Sequence, residues 1–181
     1  MSSNEQALAA LSQQLEGQIA PLDQWSPQQC GTIDIHITAD GRWFHHGTEI
    51  KRARLVKLFA SVLWREQGQY YLKTPVEQMA IRVDDAPLLV VDWRLATAQN
   101  AAHPAVICID NIGREFVLGA QHPLLIHADP KGQKLPYLQL PYGVQAKLAR
   151  TVYYAWAEQL AQPQGEEFII YSAGESFSLG G

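Results

Sequence analysis

"IDIHITADGRWFHHG", residues 33–47, is the stretch from which the rest of the chain is read. Ile33, Ile35 and Ile37 alternate with Asp34, His36 and Thr38, the period-two pattern of a half-buried strand. Asp40-Gly41 is a hairpin turn signal, and "WFHH" is the return strand. A two-residue turn sets Ile37 across from Phe44 and Ile35 across from His46 on one face. His36 then meets His45, and Thr38 meets Trp43, on the other face, with Asp34 further along it. A one-residue change in the turn reverses the two faces.

The frame has an echo. "GRWFHHG" (41–47) and "GREFVLG" (113–119) share Gly-Arg-x-Phe-x-x-Gly, each after a β-branched strand, and "YLKTP" (71–75) recurs as "YLQLP" (137–141) in the same order. Two ordered motifs predict an α+β fold built from a duplicated unit: two small related domains, each an antiparallel sheet with a helix. The boundary is expected at the "DDAP" turn, residues 84–87. Residues 1–24 are then an N-terminal helix and connector, 25–85 the first repeat, and 86–181 the second repeat with a C-terminal helix and tail strand. In the second hairpin the same count sets Cys108 across from Val117, where the first sets His36 across from His45. Gly41, Arg42, Phe44 and Gly47 recur, so the histidines are the variable part of the motif.

Helical spacing fills in the rest. Leu8, Leu11 and Leu15 mark a short amphipathic helix over 4–16. Leu55, Phe59, Val62 and Leu63 predict a helix through "EIKRARLVKLFASVLWRE" (49–66), with Gly68 at its stop. Val144, Leu148, Val152 and Trp156 predict another through 143–160. "QYYLKT", "AIRV", "LLVVDWRLA", "VICID", "REFVLG", "LLIHAD" and "YLQL" read as strands, and "EFIIYSAGESFSL" as a last strand and tail.

Composition narrows the function. The 181 residues are 47% hydrophobic and 18% charged with net charge -4, an ordinary globular balance. Any phosphate or nucleic-acid contact must therefore come from a local basic patch. The two cysteines, Cys30 and Cys108, form no CxxC pair and read as free thiols. "MSSNEQALAALSQQLEG" has no basic-then-apolar leader, and no apolar run approaches the roughly 18–20 residues that cross a bilayer. A soluble cytoplasmic protein without membrane contact is expected.

Residues 30–87, followed by "HPLLIHAD", "PYLQL" and "ARTVYY", resemble a proteobacterial family known as domain of unknown function 1285. The resemblance covers roughly residues 25–160. It implies a duplicated α+β unit whose second domain is loosely similar to pleckstrin-homology-like folds. It further implies a nucleotide- or nucleic-acid-like ligand between the domains and a role in signal transduction. Family members often carry a basic residue where this chain has His36, so the histidine pair is not a family feature.

Three functions compete. In the first, the protein is a regulatory module that binds an anionic, nucleotide-like or single-stranded nucleic-acid-like ligand in the cleft between its domains. Lys51, Arg54, Lys57, Ser61 and Arg65 recur at helical spacing, with Arg52 in the first turn and no carboxylate from Lys51 through Arg65 to neutralise them. Lys147 and Arg150 form a second basic face beside Tyr153 and Tyr154. If the repeats face each other, Lys57, Arg65 and Arg150 meet phosphates, while Trp43, Tyr71 and Tyr137 stack or shape the pocket. His45, Lys73 and Thr74 complete the set with polar contacts. The second is a protein-interaction module that uses exposed aromatics. The third is a metal-dependent hydrolase whose site is Asp34, His36 and His45 on one strand face. "GxxxxGK", "GxGxxG" and a nucleophile elbow are absent, adjacent Asp84 and Asp85 point apart, and no catalytic residue or cofactor is assigned.

Overall fold

The structure, a computed structural model, describes residues 20–97 and 102–180. The helix expected over 4–16 lies outside them. The opening hairpin is present as β1 (Gln29–Ile37) and β2 (Trp43–His45), but its register is one residue from the expected one. Its loop has three residues. The Thr38 N–H donates to the Arg42 carbonyl at 2.9 Å, the Gly41 N–H donates to the Thr38 carbonyl at 2.9 Å, and Gly41 takes φ +85°. Only glycine adopts that left-handed bulge position without strain. Ile37 therefore meets Trp43, His36 meets Phe44 and Ile35 meets His45. Trp43 is turned into the core beside Ile35 and Ile37.

The second hairpin, β8 (Ala105–Asp110) with β9 (Glu115–Val117), closes in the same way. The Asp110 N–H donates to the Arg114 carbonyl at 2.9 Å and Gly113 takes φ +87°. Cys108 meets Phe116 rather than Val117. The echo has a physical meaning in this geometry. Glycine supplies the bulge, and the next arginine lays its guanidinium over the phenylalanine two residues on, at 5.5 Å for Arg42–Phe44 and 5.4 Å for Arg114–Phe116.

The remaining strands are β3 (Thr48–Glu49), β4 (Leu63–Glu66), β5 (Gln69–Lys73), β6 (Glu77–Val83), β7 (Leu88–Ala96), β10 (Leu124–Ala128), β11 (Lys134–Gln139), β12 (Gln145–Leu148), β13 (Gln162–Gln164), β14 (Glu167–Ser172) and β15 (Glu175–Ser178). The first sheet runs β3-β2-β1-β6-β5-β4, and the second, read from its other end, β9-β8-β7-β12-β11-β10. In each, the first and last strands are parallel neighbours at the centre, and the other pairings are antiparallel. The duplicated architecture is thus a repeated sheet order. It places "YLKTP" and "YLQLP" on equivalent strands, β5 and β11. "GRWFHHG" joins β1 to β2, whereas "GREFVLG" joins β8 to β9, which is the next hairpin along.

Both long helices are shorter than expected. Helix α1 spans Ala53–Ala60, and helix α2 spans Arg150–Gln159. The Ser61 hydroxyl donates back to the Leu58 carbonyl at the end of α1, an alternative to continuing the helix. Val62, Leu63 and Trp64 are β-branched, bulky or aromatic, and Leu63 and Trp64 pair with Leu72 and Tyr71 instead. Before α2, Gln145–Leu148 is drawn between β11 and β7, where central pairing on both edges outweighs helical spacing. The C-terminal "strand and tail" is a hairpin, β14–β15, and β13 completes a third sheet. That sheet is tied to the second by buried Ser172, whose hydroxyl donates to the Leu118 carbonyl at 2.6 Å and accepts the Val106 N–H at 2.8 Å. One apolar core runs through all three sheets, with Trp43 and Trp156 its largest fully buried members.

Candidate functional site

The site lies where the first hairpin meets the second. Asn111, in the β8–β9 turn, accepts the Leu89 N–H on its Oδ1 at 3.1 Å and donates its own N–H to the Leu89 carbonyl at 2.9 Å. The turn is thereby pinned to the start of β7. Gly41 sits against it so closely that a Cβ there would stand 3.0 Å from Asn111 Nδ2 and 3.2 Å from Leu89 Cδ1. Beside this contact a groove of about 610 Å³ opens between the domains. Trp43, Ile50 and Val56 line it from the first domain, and Asn111 and Ile112 from the second.

Its charge comes from α1 and the residues before it. Val56, Phe59 and Ala60 turn toward the core, which leaves Arg54 and Lys57 on the exposed face. Lys51, Arg54 and Lys57 line the groove, and exposed Arg52 follows Lys51 just before the helix. None of these four cations makes an ion pair among the described residues. Arg42 also lines the groove and donates to Asp40 at 2.8 Å. The Thr38 hydroxyl, and after it Arg42, hold the Asp40 carboxyl below its ordinary range. Glu49 is the one carboxylate in the lining.

Of the residues expected to bind, the groove unites Lys57 and Trp43. Trp43 is only 1% exposed, with its ring nearly parallel to that of Phe59 at 6.3 Å. His45 is exposed, with its ring 4.1 Å from that of His46. Arg65 belongs to β4, not to a helix face, and its guanidinium lies over Tyr70 at 5.2 Å. Tyr71 lies across from Trp64, and the buried Lys73 ammonium caps the Trp64 ring at 3.6 Å. The Thr74 hydroxyl accepts the Val76 and Glu77 N–H groups at 3.3 and 3.1 Å, closing the β5–β6 turn. Tyr137 is fully buried, stacks on His127 at 3.7 Å and donates to Asp85 at 2.7 Å. Lys147 lies in β12 with its ammonium on the same Asp85 at 2.7 Å, and exposed Arg150 opens α2. The two basic segments therefore do not face each other across one cleft.

The metal arrangement is also separated. His36 donates to Asp84 at 2.7 Å, while His46 lies 3.4 Å from Asp34. Among the described residues, no three histidine, cysteine or carboxylate groups converge as a metal site. Burial pushes the Cys108 thiol well above its ordinary range, so it is an inert core residue. Gly41 and Asn111 meet at the seam. Asn111 did not stand out in the sequence, and its one signal is the "NIG" turn.

Two family models divide the chain between them. The N-terminal domain of domain of unknown function DUF1285 matches residues 20–86, and the C-terminal domain of protein of unknown function DUF1285 matches residues 87–179. A crystal structure of a DUF1285 family protein from Silicibacter pomeroyi DSS-3 is 36% identical, with TM-score 0.80 over 89% of this chain and 87% of its own. A second, from Shewanella baltica OS155, is 32% identical, with TM-score 0.53 over 67% of this chain and 88% of its own. No curated protein matches the chain. Among the described residues, no helix is long and apolar enough to cross a membrane.

Proposed function

The chain belongs to the DUF1285 family, and on that footing we propose that it is a binding module for an anionic, phosphate-bearing ligand held in the groove between its two domains. The observation that carries this reading is the set of cations at the groove. Lys51, Arg54 and Lys57 line it without a counter-charge of their own, in a chain whose net charge is -4. Unpaired cations beside a concave, partly apolar surface favour phosphate by charge and, through arginine, by paired hydrogen bonds. Such a ligand would touch both domains, which suits a regulatory role in which occupancy is reported through the seam.

A thermal-shift panel of nucleotides, cyclic dinucleotides and short oligonucleotides tests the proposal. A ligand at 100 times its dissociation constant stabilises the fold by about 2.7 kcal/mol. For a chain of this size that raises Tm by roughly 5–10 °C. Lys57→Glu and Arg54→Glu should abolish the shift while leaving the unliganded Tm nearly unchanged, since both side chains are exposed. A panel with no shift, or a shift that survives both variants, sinks the proposal. A second reading, docking of a protein partner, draws on Leu58 and Tyr154, which expose 62% and 61% of their surface. Leu58→Asp would abolish such docking and spare phosphate binding.

A further inference from the structure

We infer that the groove reads the phosphates of its ligand and not a base, so that it accepts inorganic polyphosphates and nucleoside triphosphates alike. This rests on the reading of the groove as an anion site and narrows it. A base is ordinarily held by stacking on an open aromatic or guanidinium face and by hydrogen bonds to its edge. The one aromatic residue in the lining is Trp43, and its ring is closed off at 1% exposure with Phe59 alongside. The Arg42 guanidinium already lies over Phe44 and is bonded to Asp40. Neither offers a free face to a base, and the one open guanidinium in the lining, Arg54, has no exposed aromatic ring in the lining to complete a stack with it.

What the groove does offer is donors from both sides. Lys51, Arg54 and Lys57 stand on the first domain without ion pairs among the described residues, beside Arg42, already bonded to Asp40, and Glu49, the single carboxylate of the lining. The second domain contributes the side-chain amide of Asn111. Its Oδ1 is occupied by the Leu89 N–H at 3.1 Å, which fixes the plane of the amide, and its Nδ2 has no partner among the described residues. The absence of a side chain at Gly41 leaves room for that nitrogen in the seam, since a Cβ there would stand 3.0 Å from it. The result is a donor held in one orientation at the domain boundary, opposite a row of cations. Phosphate oxygens accept from all of these groups without regard to what else the ligand carries. Selectivity then follows the number of phosphates, with affinity rising about threefold or more for each one added, the scale of exposed ion pairs.

Calorimetric titration of the full chain, without divalent cations, decides the matter. The probes are inorganic tripolyphosphate, ATP, GTP, CTP and AMP. The first four should bind within about threefold of one another and AMP about tenfold or more weakly, as two fewer phosphates imply. Asn111→Asp keeps the acceptor for Leu89 but replaces the free donor by a repelling oxygen. It should weaken the four alike by about tenfold, the scale of one charge-assisted hydrogen bond, with Tm unchanged within about 2 °C. Binding of one nucleotide tenfold or more above tripolyphosphate overturns the inference and leaves the anion site standing. A preference for one of ATP, GTP or CTP would point to Glu49 as acceptor of that base's amine. No binding by any probe overturns both readings. Binding unaffected by Lys51→Glu and Arg54→Glu places the phosphates elsewhere and also overturns the inference.

Discussion

Replacing Asp85 by alanine should loosen the joint between the domains more than any change at the groove itself. Asp85 lies in the link between β6 and β7, and its two oxygens each hold a residue of the second sheet. The Tyr137 hydroxyl donates to one at 2.7 Å and the Lys147 ammonium to the other at 2.7 Å. The Asp85 side chain is 5% exposed and that of Lys147 21% exposed. A hydrogen bond to a charged group contributes about 1.5–3 kcal/mol. The fully buried Tyr137 hydroxyl would be left without an acceptor, whereas the Lys147 ammonium is near enough to water to rehydrate. The loss in Asp85→Ala therefore falls toward the lower part of the summed range, about 3–4 kcal/mol. At roughly 2–4 °C per kcal/mol, Tm drops by about 10 °C. Asp85→Asn preserves an acceptor for Tyr137 but turns an uncharged amide toward Lys147, so it should cost about half as much. A cycle with Lys147→Met should return a coupling of at least about 1 kcal/mol in chemical denaturation. A drop below about 3 °C for Asp85→Ala, or zero coupling, refutes the view that this carboxylate ties the domains together.

Three further changes follow from the same structure. Gly41→Ala places a side chain at φ +85° and 3.0 Å from Asn111 Nδ2; it should cost about 1–2 kcal/mol by the left-handed penalty alone and weaken anion binding, measured by thermal melting and titration. Ser172→Ala leaves the Val106 N–H and the Leu118 carbonyl buried without their partner; a loss of about 2–3 kcal/mol in urea unfolding is expected, and a loss under about 0.5 kcal/mol would show that water replaces the hydroxyl. The hydroxyls of Tyr137 and Tyr70 are pushed above the ordinary tyrosine range, each chiefly by burial. A phenol with a raised folded pKa releases its proton first in the unfolded chain, so this stability is complete below about pH 10 and falls as pH rises beyond it. Tm measured on either side of about pH 10 should show the decline, and a flat profile contradicts the assignment.

Local pattern was enough for β1, β5 and the presence of the two hairpins, though not for their register, because alternation and turn chemistry act over a few neighbouring residues. It was not enough for residues 63–66 and 145–148. Both stretches continue a helical apolar stripe, and only pairing with strands remote in sequence, β5 in one case and β7 with β11 in the other, makes them β. The turn at Gly41 illustrates how much depends on one residue. A two-residue loop puts Trp43 outside with the histidines; the observed three-residue loop puts it in the core. The expected stacking role of Trp43 was lost with that single step of register. Lys57 remained legible because exposed charge on a helix face needs no distant partner to place it. Asn111 was not, because its importance arises from Leu89 and Gly41, which are separated from it in the chain.

The two repeats share a sheet order, yet the groove is not a product of their symmetry. Equivalent strands would bring equivalent hairpins together, β1–β2 with β7–β8. Instead the tip of β1–β2 meets the turn of β8–β9, one hairpin further along. The link from β3 to β4 contains α1 with its row of cations, while the corresponding link from β9 to β10, residues 118–123, forms no helix. One wall of the groove is therefore a charged helix and the other a neutral turn with a single oriented amide. By that correspondence the segment equivalent to α1 is residues 118–123, which contain no lysine or arginine. The asymmetry assigns the two domains different tasks, charge from the first and position from the second. Substitutions of Lys51, Arg54 or Lys57 should thus change the salt dependence of binding, whereas Asn111→Ala, which removes the amide without changing the charge, should lower affinity at every salt concentration, a contrast that titration at two ionic strengths would expose.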